Sequence, residues 1–252
     1  VALGDKSILF SEDRTGFLMF AAEGRSWITL SDPVASDEVA EELAWEFREI
    51  CDEGGRWPVF YQVETAKLPL YIDLGLSILK LGEEARVPLA DFALEGRSRK
   101  SLRHTCTRLE EREGCSLEII EPPLTDTLLT ELQAISDDWL ARKNTREKGF
   151  SLGFFDRDYL RQCPIALVKQ AGQTVAFANI LRSGDKEELS IDLMRFVEQA
   201  PGGTMDYLFA QLMLRGRTEG YRWFNLGMAP LAGLEAHPLA PTWNRVAEIV
   251  FR

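Results

Sequence analysis

Asp192 and Arg195 stand three residues apart in Glu187-Glu188-Leu189-Ser190-Ile191-Asp192-Leu193-Met194-Arg195, a largely apolar run that reads as a strand. A carboxylate there can bind an ammonium group or accept a proton, and a guanidinium can hold a phosphate or a developing oxyanion. A charged Asp in such a strand is costly unless it is paired, so a structural ion pair is the plain alternative. On a regular strand Ser190, Asp192 and Met194 share one face, and Leu189, Ile191, Leu193 and Arg195 share the other. Bringing Asp192 and Arg195 into one pocket therefore requires a bulge, or an end to the strand near Met194.

Three further segments have chemical potential. Gln199-Ala200-Pro201-Gly202-Gly203-Thr204 follows that strand and precedes a helix beginning at about Met205, where free N–H groups and the helix dipole can hold an anion. The loop resembles the Q/R-x-x-G-x-G/A pattern of acyl-CoA N-acetyltransferases at Gln199 and Gly202, with Thr204 in place of the final small residue. A simple capped loop accounts for it equally well. Residues 97–112 gather Arg97, Arg99, Lys100, Arg103 and Arg108 around the apolar stripe of Leu102, Cys106 and Leu109, with no acid between Arg97 and Arg108. That is either a phosphate-binding helix or a solvated helix face. Phe224-Asn225-Leu226-Gly227-Met228-Ala229-Pro230-Leu231 reads as a strand end shaped for close backbone approach.

Other chemistries lack material. There is no G-x-S-x-G, no Walker sequence, no G-x-G-x-x-G after a strand and no D-x-D-x-D cluster. The only histidines are His104 and His237, and Cys51, Cys106, Cys115 and Cys163 form no C-x-x-C pair, so no metal site is expected and the thiols read as reduced and mostly buried.

The elements that position these residues follow from patterning. Residues 7–10, 16–21 and 26–30 read as strands. A helix starts after Ser36 with Val39, Leu43, Phe47 and Ile50 on its apolar face, and Gly54-Gly55 stops it. Residues 57–63 read as a strand, 68–74 as a short helix and 77–81 as another strand. After the basic segment come a strand at 117–120, a helix with Leu128, Leu132, Ile135 and Trp139 on one face, and a basic loop at 142–149. A meander at 165–168, 174–181 and 188–194 follows, then a helix at about 205–218 and strands at 222–226 and 246–251. The 252 residues are 45% hydrophobic and 27% charged, which suits a globular α/β protein and rules out dominant disorder. No apolar run is long enough for a membrane-spanning helix. The net charge of −11 does not suit general nucleic-acid binding, so any such contact must be local. The first residues do not read as a signal peptide, and the missing initiator Met suggests a piece of a longer protein.

Taken together, Lys143-Asn144-Thr145-Arg146-Glu147-Lys148-Gly149-Phe150-Ser151-Leu152-Gly153, Asp192-Leu193-Met194-Arg195, Met205-Asp206-Tyr207-Leu208-Phe209 and Phe224-Asn225-Leu226-Gly227-Met228-Ala229-Pro230-Leu231 carry a family resemblance. So do Trp57-Pro58-Val59-Phe60-Tyr61-Gln62 and Leu79-Lys80-Leu81-Gly82-Glu83-Glu84-Ala85. The chain resembles, over nearly its whole length, the C-terminal catalytic domain of the aminoacyl-phosphatidylglycerol synthases, the multiple peptide resistance (MprF-type) proteins.

That resemblance implies an α/β fold of two tandem acetyltransferase-like (GNAT) units joined by a basic helix. The first unit would span residues 1–94, the helix 95–113, and the second unit, with the active site, 114–252. It implies transfer of an aminoacyl group, lysyl first and alanyl second, from aminoacyl-tRNA to phosphatidylglycerol, which confers resistance to cationic antimicrobials. Asp192 and Arg195 match residues important for activity. Tyr159, Lys148, Tyr207, Asn225 and Met228 would contact substrate, and Arg97, Arg99, Lys100, Arg103 and Arg108 would hold tRNA. No cofactor or metal is implied, because the aminoacyl ester is already activated. The implied partners are aminoacyl-tRNA, phosphatidylglycerol, the membrane surface and an N-terminal transmembrane flippase domain of the same polypeptide. The implied location is the cytoplasmic side of the bacterial inner membrane. Family members continue past Arg252 into a Tyr-x-x-Lys-like stretch. The competing readings are a CoA-dependent N-acyltransferase of the same fold and a non-catalytic tRNA-binding fragment.

Overall fold

The computed structural model describes residues 2–147 and 149–234. Its contacts divide into two compact units, one of residues 2–80 with 149–153, the other of 81–147 with 154–234. Each is a mixed α/β unit built on its own sheet. Among the described residues no helix is long and apolar enough to cross a membrane.

The first unit holds a four-stranded sheet in the order β1 (Ser7–Phe10), β2 (Phe17–Glu23), β3 (Ser26–Leu30) and β4 (Trp57–Tyr61). β3 and β4 run parallel, which requires a crossover, and α1 (Asp37–Glu53) supplies it. Leu43, Ala44, Phe47 and Cys51 line the buried face of α1, and Phe47 meets Phe20 and Phe60 of the sheet. Gly16 is required where β2 begins: a Cβ there would lie 2.5 Å from the Ala35 Cβ. Ser36 occupies the N-cap of α1, as patterning suggested, yet its side chain makes no cap bond; Asp37 pairs with Lys67 instead. The short helix α2 (Leu68–Asp73) brings Tyr71 into the core, where its hydroxyl donates to Asp32 at 2.5 Å.

The second unit holds a six-stranded sheet. Its strands are β5 (Gly82–Pro88), β6 (Cys115–Ile120), β7 (Ile165–Gln170), β8 (Gln173–Arg182), β9 (Glu188–Phe196) and β10 (Trp223–Pro230), in the spatial order β5-β10-β9-β8-β7-β6. The sheet is antiparallel except where β9 meets β10. The parallel pair is again joined by a crossover helix, α6 (Thr204–Thr218). Cys106 and Leu109 of α3 (Lys100–Glu111) share a core with Tyr207, Leu208 and Leu212 of α6 and with the buried face of the sheet. α4 (Asp126–Lys143) and the five-residue α5 (Arg157–Arg161) complete the unit.

One expectation from patterning is corrected. Residues 77–81 form no strand; Ile78 and Leu79 are 47% and 58% exposed, and the strand is the next segment, β5. The apolar run finds no partner ladder, whereas the charged β5 pairs through its backbone with β10 at a sheet edge, where exposed charges are tolerated. By contact, residues 81–94 and α3 group with the second unit, where Leu89, Phe92, Cys106 and Leu109 are buried in its core. The expected strand at 246–251 lies outside the described residues.

Candidate functional site

The bulge that Asp192 and Arg195 require is present. Ile180 pairs with Ile191 and Ala178 with Met194, so Asp192 and Leu193 of β9 together stand opposite the single residue Asn179 of β8. The extra residue resets the strand's phase and brings the Asp192 carboxylate within electrostatic reach of Arg195.

Asn179 fills the bulge. It is fully buried, and its Oδ1 accepts from the Leu193 N–H at 2.6 Å, supplying the acceptor that the interrupted ladder lacks. Its Nδ2 donates to the Tyr159 hydroxyl at 2.9 Å, and that hydroxyl donates to Asp192 Oδ2 at 2.9 Å. Tyr159 is placed by α5, whose N-cap Asp156 accepts from the Tyr159 N–H at 2.8 Å. Burial, reinforced by the negative charge of Asp192, pushes the Tyr159 pKa well above the ordinary tyrosine value. The phenol is therefore a fixed donor at neutral pH.

Arg195 is 8% exposed and held from three sides. One Nη donates to Glu147 at 2.8 Å and the other to the Met194 carbonyl at 2.9 Å, while the guanidinium lies 4.4 Å from the Trp139 ring centroid. Burial lowers its pKa and Glu147 opposes that, so it remains a cation at neutral pH. Its Nε is buried with no hydrogen-bond partner. Glu147 also accepts from the Phe155 N–H at 3.2 Å.

β9 and β10 pair only over Glu188–Ser190 and Trp223–Asn225, although both strands continue. Beyond that point the ladder is open, with Met194 and Leu226 exposed on the two strands. Parallel α/β sheets place ligands at such an opening beyond the carboxyl ends of strands. Asn225 marks the end of the pairing. Its Nδ2 donates to Glu84 at 2.8 Å and Glu188 at 3.0 Å, and its Oδ1 accepts from the Gly227 N–H at 2.7 Å. Met228 follows a bulge in β10 opposite β5 and is half-buried.

The other residues singled out from sequence lie elsewhere. Tyr207 is 2% exposed between α6 and α3, where its hydroxyl meets Glu110; this is core packing and is not joined to the Asp192 network. Lys148 lies outside the described residues. Of the basic cluster, Arg97 and Lys100 are exposed. Arg99 stacks on Phe92 at 4.4 Å, Arg103 donates to the carbonyls of Leu94 and Gly96, and Arg108 binds Glu113 and the Gly202 carbonyl. Those three guanidiniums have structural partners within their own unit.

The 199–204 loop is closed by α3. Gly203 has φ +86°, and a Cβ on it would lie 2.6 Å from Thr105 Cγ2. The Thr204 hydroxyl donates to the Pro201 carbonyl, and Asp206 adds a carboxylate to the first turn of α6. Among the described residues no group of three His, Cys, Asp or Glu side chains could hold a metal ion.

Sequence reasoning missed Asn179, Glu147 and Trp139 as site residues. Glu147 lay inside a resembling motif and Trp139 on a recognised helix face, but nothing in one dimension joins either to Arg195. A polar Asn inside Thr174–Leu181 was the one signal for Asn179.

Among the described residues the arrangement holds no activated nucleophile. It offers a carboxylate with a fixed hydroxyl donor, a buried cation, and an opening between strands, a set suited to orienting substrates and stabilising charge.

Comparison with known proteins gives a consistent set of relatives. The family described as phosphatidylglycerol lysyltransferase, C-terminal, matches residues 1–252. A phosphatidylglycerol lysyltransferase of Bacillus subtilis is 42% identical over 99% of the chain, and one of Staphylococcus xylosus is 34% identical over 98%. The chain spans 29% of the length of these curated relatives. Among solved structures, L-PGS from Bacillus licheniformis superposes with a TM-score of 0.87 at 41% identity, covering 98% of this chain and 77% of that one. FemX shares the fold at a TM-score of 0.59 and 10% identity, covering 98% and 84% of the two chains.

Proposed function

Because the chain belongs to the phosphatidylglycerol lysyltransferase C-terminal family, we propose that it is an aminoacyltransferase that moves a lysyl group from lysyl-tRNA to phosphatidylglycerol. The observation that carries this reading is the bulge in β9, which unites Asp192, with its Tyr159 donor, and Arg195, with its Glu147 partner, beside the open ladder between β9 and β10.

The chemistry fits that set. The lipid hydroxyl attacks the ester carbonyl carbon, a tetrahedral oxyanion forms, and the bond to the tRNA ribose oxygen breaks. The proton leaves the lipid hydroxyl and ends on that ribose oxygen. The ester is already activated, so positioning and charge stabilisation are what the protein must supply. Asp192 binds the aminoacyl ammonium or positions the attacking hydroxyl, and Arg195 holds the lipid phosphate or the oxyanion. Asn225 and Met228 line the opening on the β10 side and Tyr159 supports Asp192. Lys148 and Tyr207 remain proposals by resemblance alone. Two acetyltransferase-like units, with the basic α3 packed on the second, is the matching architecture, and Arg97 and Lys100 are the exposed cations suited to tRNA phosphates.

The membrane lipid substrate implies action at the cytoplasmic face of a bacterial membrane, beside a transmembrane flippase domain, and the product implies resistance to cationic antimicrobials. A CoA-dependent reaction is less well served. The loop that would hold a pyrophosphate packs against Thr105, has its Gly202 carbonyl taken by Arg108, and carries Asp206 at the helix start.

The test is transfer of radiolabelled lysine, and separately alanine, from charged tRNA to phosphatidylglycerol in detergent micelles. Labelled lipid from lysyl-tRNA is expected. Labelled lipid from alanyl-tRNA alone would change the amino acid, and acetyl-CoA binding without any transfer would overturn the reading.

A further inference from the structure

Asn179 lies outside every motif that carries the family resemblance, yet it is fully buried and touches both sides of the site. A backbone N–H can only donate, so the atom of Asn179 that faces the Leu193 N–H at 2.6 Å is its carbonyl oxygen. The amide nitrogen then faces the Tyr159 oxygen at 2.9 Å and must donate to it. With that lone pair occupied, the phenol's single proton points to Asp192 Oδ2, 2.9 Å away.

We infer that Asn179 is a positioning residue for aminoacyl transfer: oriented by the Leu193 backbone, its amide turns the Tyr159 hydroxyl proton toward Asp192 and so sets that carboxylate as an acceptor. The polarity of the whole chain, Leu193 to Asn179 to Tyr159 to Asp192, is determined by one backbone group that cannot reverse. The catalytic consequence rests on the aminoacyltransferase reading; the proton direction does not.

Among the charged and titratable groups that face Asp192 are Tyr159 from α5, the Cys163 thiol that follows that helix, and Arg195 from its own strand, with Glu147 acting through Arg195. Asn179 is the neutral member from β8. Asn179→Asp keeps an acceptor for Leu193 but presents a second carboxylate to Tyr159. Once that new group ionises, two anions compete for one phenolic proton. The phenolic proton can then turn to the new carboxylate, and Asp192 loses its donor.

The experiment follows the Asp192 carboxyl resonance at neutral pH by carbon-13 NMR in the chain labelled at Asp, assigned with Asp192→Asn, alongside lysyl transfer. Asn179→Asp is expected to move that resonance, as the hydrogen bond from Tyr159 is lost, and to lower kcat about tenfold with KM changed much less. In a Tyr159→Phe background the same substitution should move it distinctly less, because the competition runs through the phenol. An unchanged Asp192 resonance in folded Asn179→Asp, or an equal change with and without the phenol, overturns the inference.

Should Asn179→Asp not fold, the unsubstituted chain decides the point. The Asn179 side-chain amide protons are expected to exchange slowly, and Tyr159→Phe should release one of them. Amide protons indifferent to Tyr159→Phe would mean that the amide does not donate to the phenol. If the unsubstituted chain transfers no lysine, the functional reading fails while the carboxyl resonance and the exchange still decide the proton direction.

Discussion

Glu147 holds Arg195 by a 2.8 Å ion pair, and its second oxygen accepts from the Phe155 N–H on the far side of residues 148–154. One carboxylate thus binds both the buried cation of β9 and the Phe155 backbone. Replacing Glu147 by Gln keeps the shape and removes the charge. Lysyl transfer should fall about tenfold or more if Arg195 must be held in place for the transition state. Glu147→Ala should also cost about 1–3 kcal/mol in urea unfolding, less than for a fully buried pair because Glu147 keeps part of its side chain in solvent. Unchanged kcat in both variants would remove Glu147 from the site.

Three tyrosines should resist ionisation. Burial raises the pKa of Tyr71, Tyr159 and Tyr207, with Asp32, Asp192 and Glu110 respectively adding negative charge nearby. A group whose folded pKa is raised gives stability that is fully present below its unfolded value and lost as pH rises through the folded value. Above the ordinary tyrosine value of 10.0 the unfolded chain ionises first, so stability should fall with rising pH. Absorbance titration of the folded chain should show fewer than its five tyrosines ionising until it unfolds. Tyr159→Phe should flatten the alkaline loss.

The basic segment should separate into two kinds of residue. Replacing Arg97 and Lys100 by Glu should weaken tRNA binding and make its salt dependence shallower, with little change in thermal midpoint. Arg103→Ala and Arg108→Ala should instead lower the midpoint, because each strips a guanidinium from backbone carbonyls that it now satisfies. Equal effects of all four on tRNA binding at unchanged stability would show that the internal bonds are dispensable.

Gly203→Ala should destabilise by about 1–3 kcal/mol, since the residue sits in the left-handed region and its Cβ would meet Thr105. Adding Thr105→Ala should recover the part due to the clash. No recovery would assign the whole cost to the backbone.

Much of this fold could be read along the chain. The meander β7–β8–β9, the helix α6 after Gly203 and the helix α1 after Ser36 follow from apolar spacing and turn residues, which are local properties. The strand expected at residues 77–81 failed because β-propensity does not create a partner: an exposed Ile78-Leu79 run stays irregular while charged β5 pairs with β10. Of the site, the need for a bulge between Asp192 and Arg195 was legible, since side-chain alternation in a strand has a fixed period. Which residue would fill the bulge was not.

The sequence by itself determined the family, the periodic elements and the chemical types at positions 192 and 195, because each depends on residue identity and near-neighbour spacing. Tertiary structure alone decided that Asn179 faces Leu193 and Tyr159, that Glu147 and Trp139 confine Arg195, and that Arg99, Arg103 and Arg108 take partners within their own unit. Those are pairings between residues on separate elements, set by strand order, register and helix packing. Leaving the Arg195 charge or the Asn179 amide wholly unpaired in the interior is costly, so a fold that gives them partners is favoured.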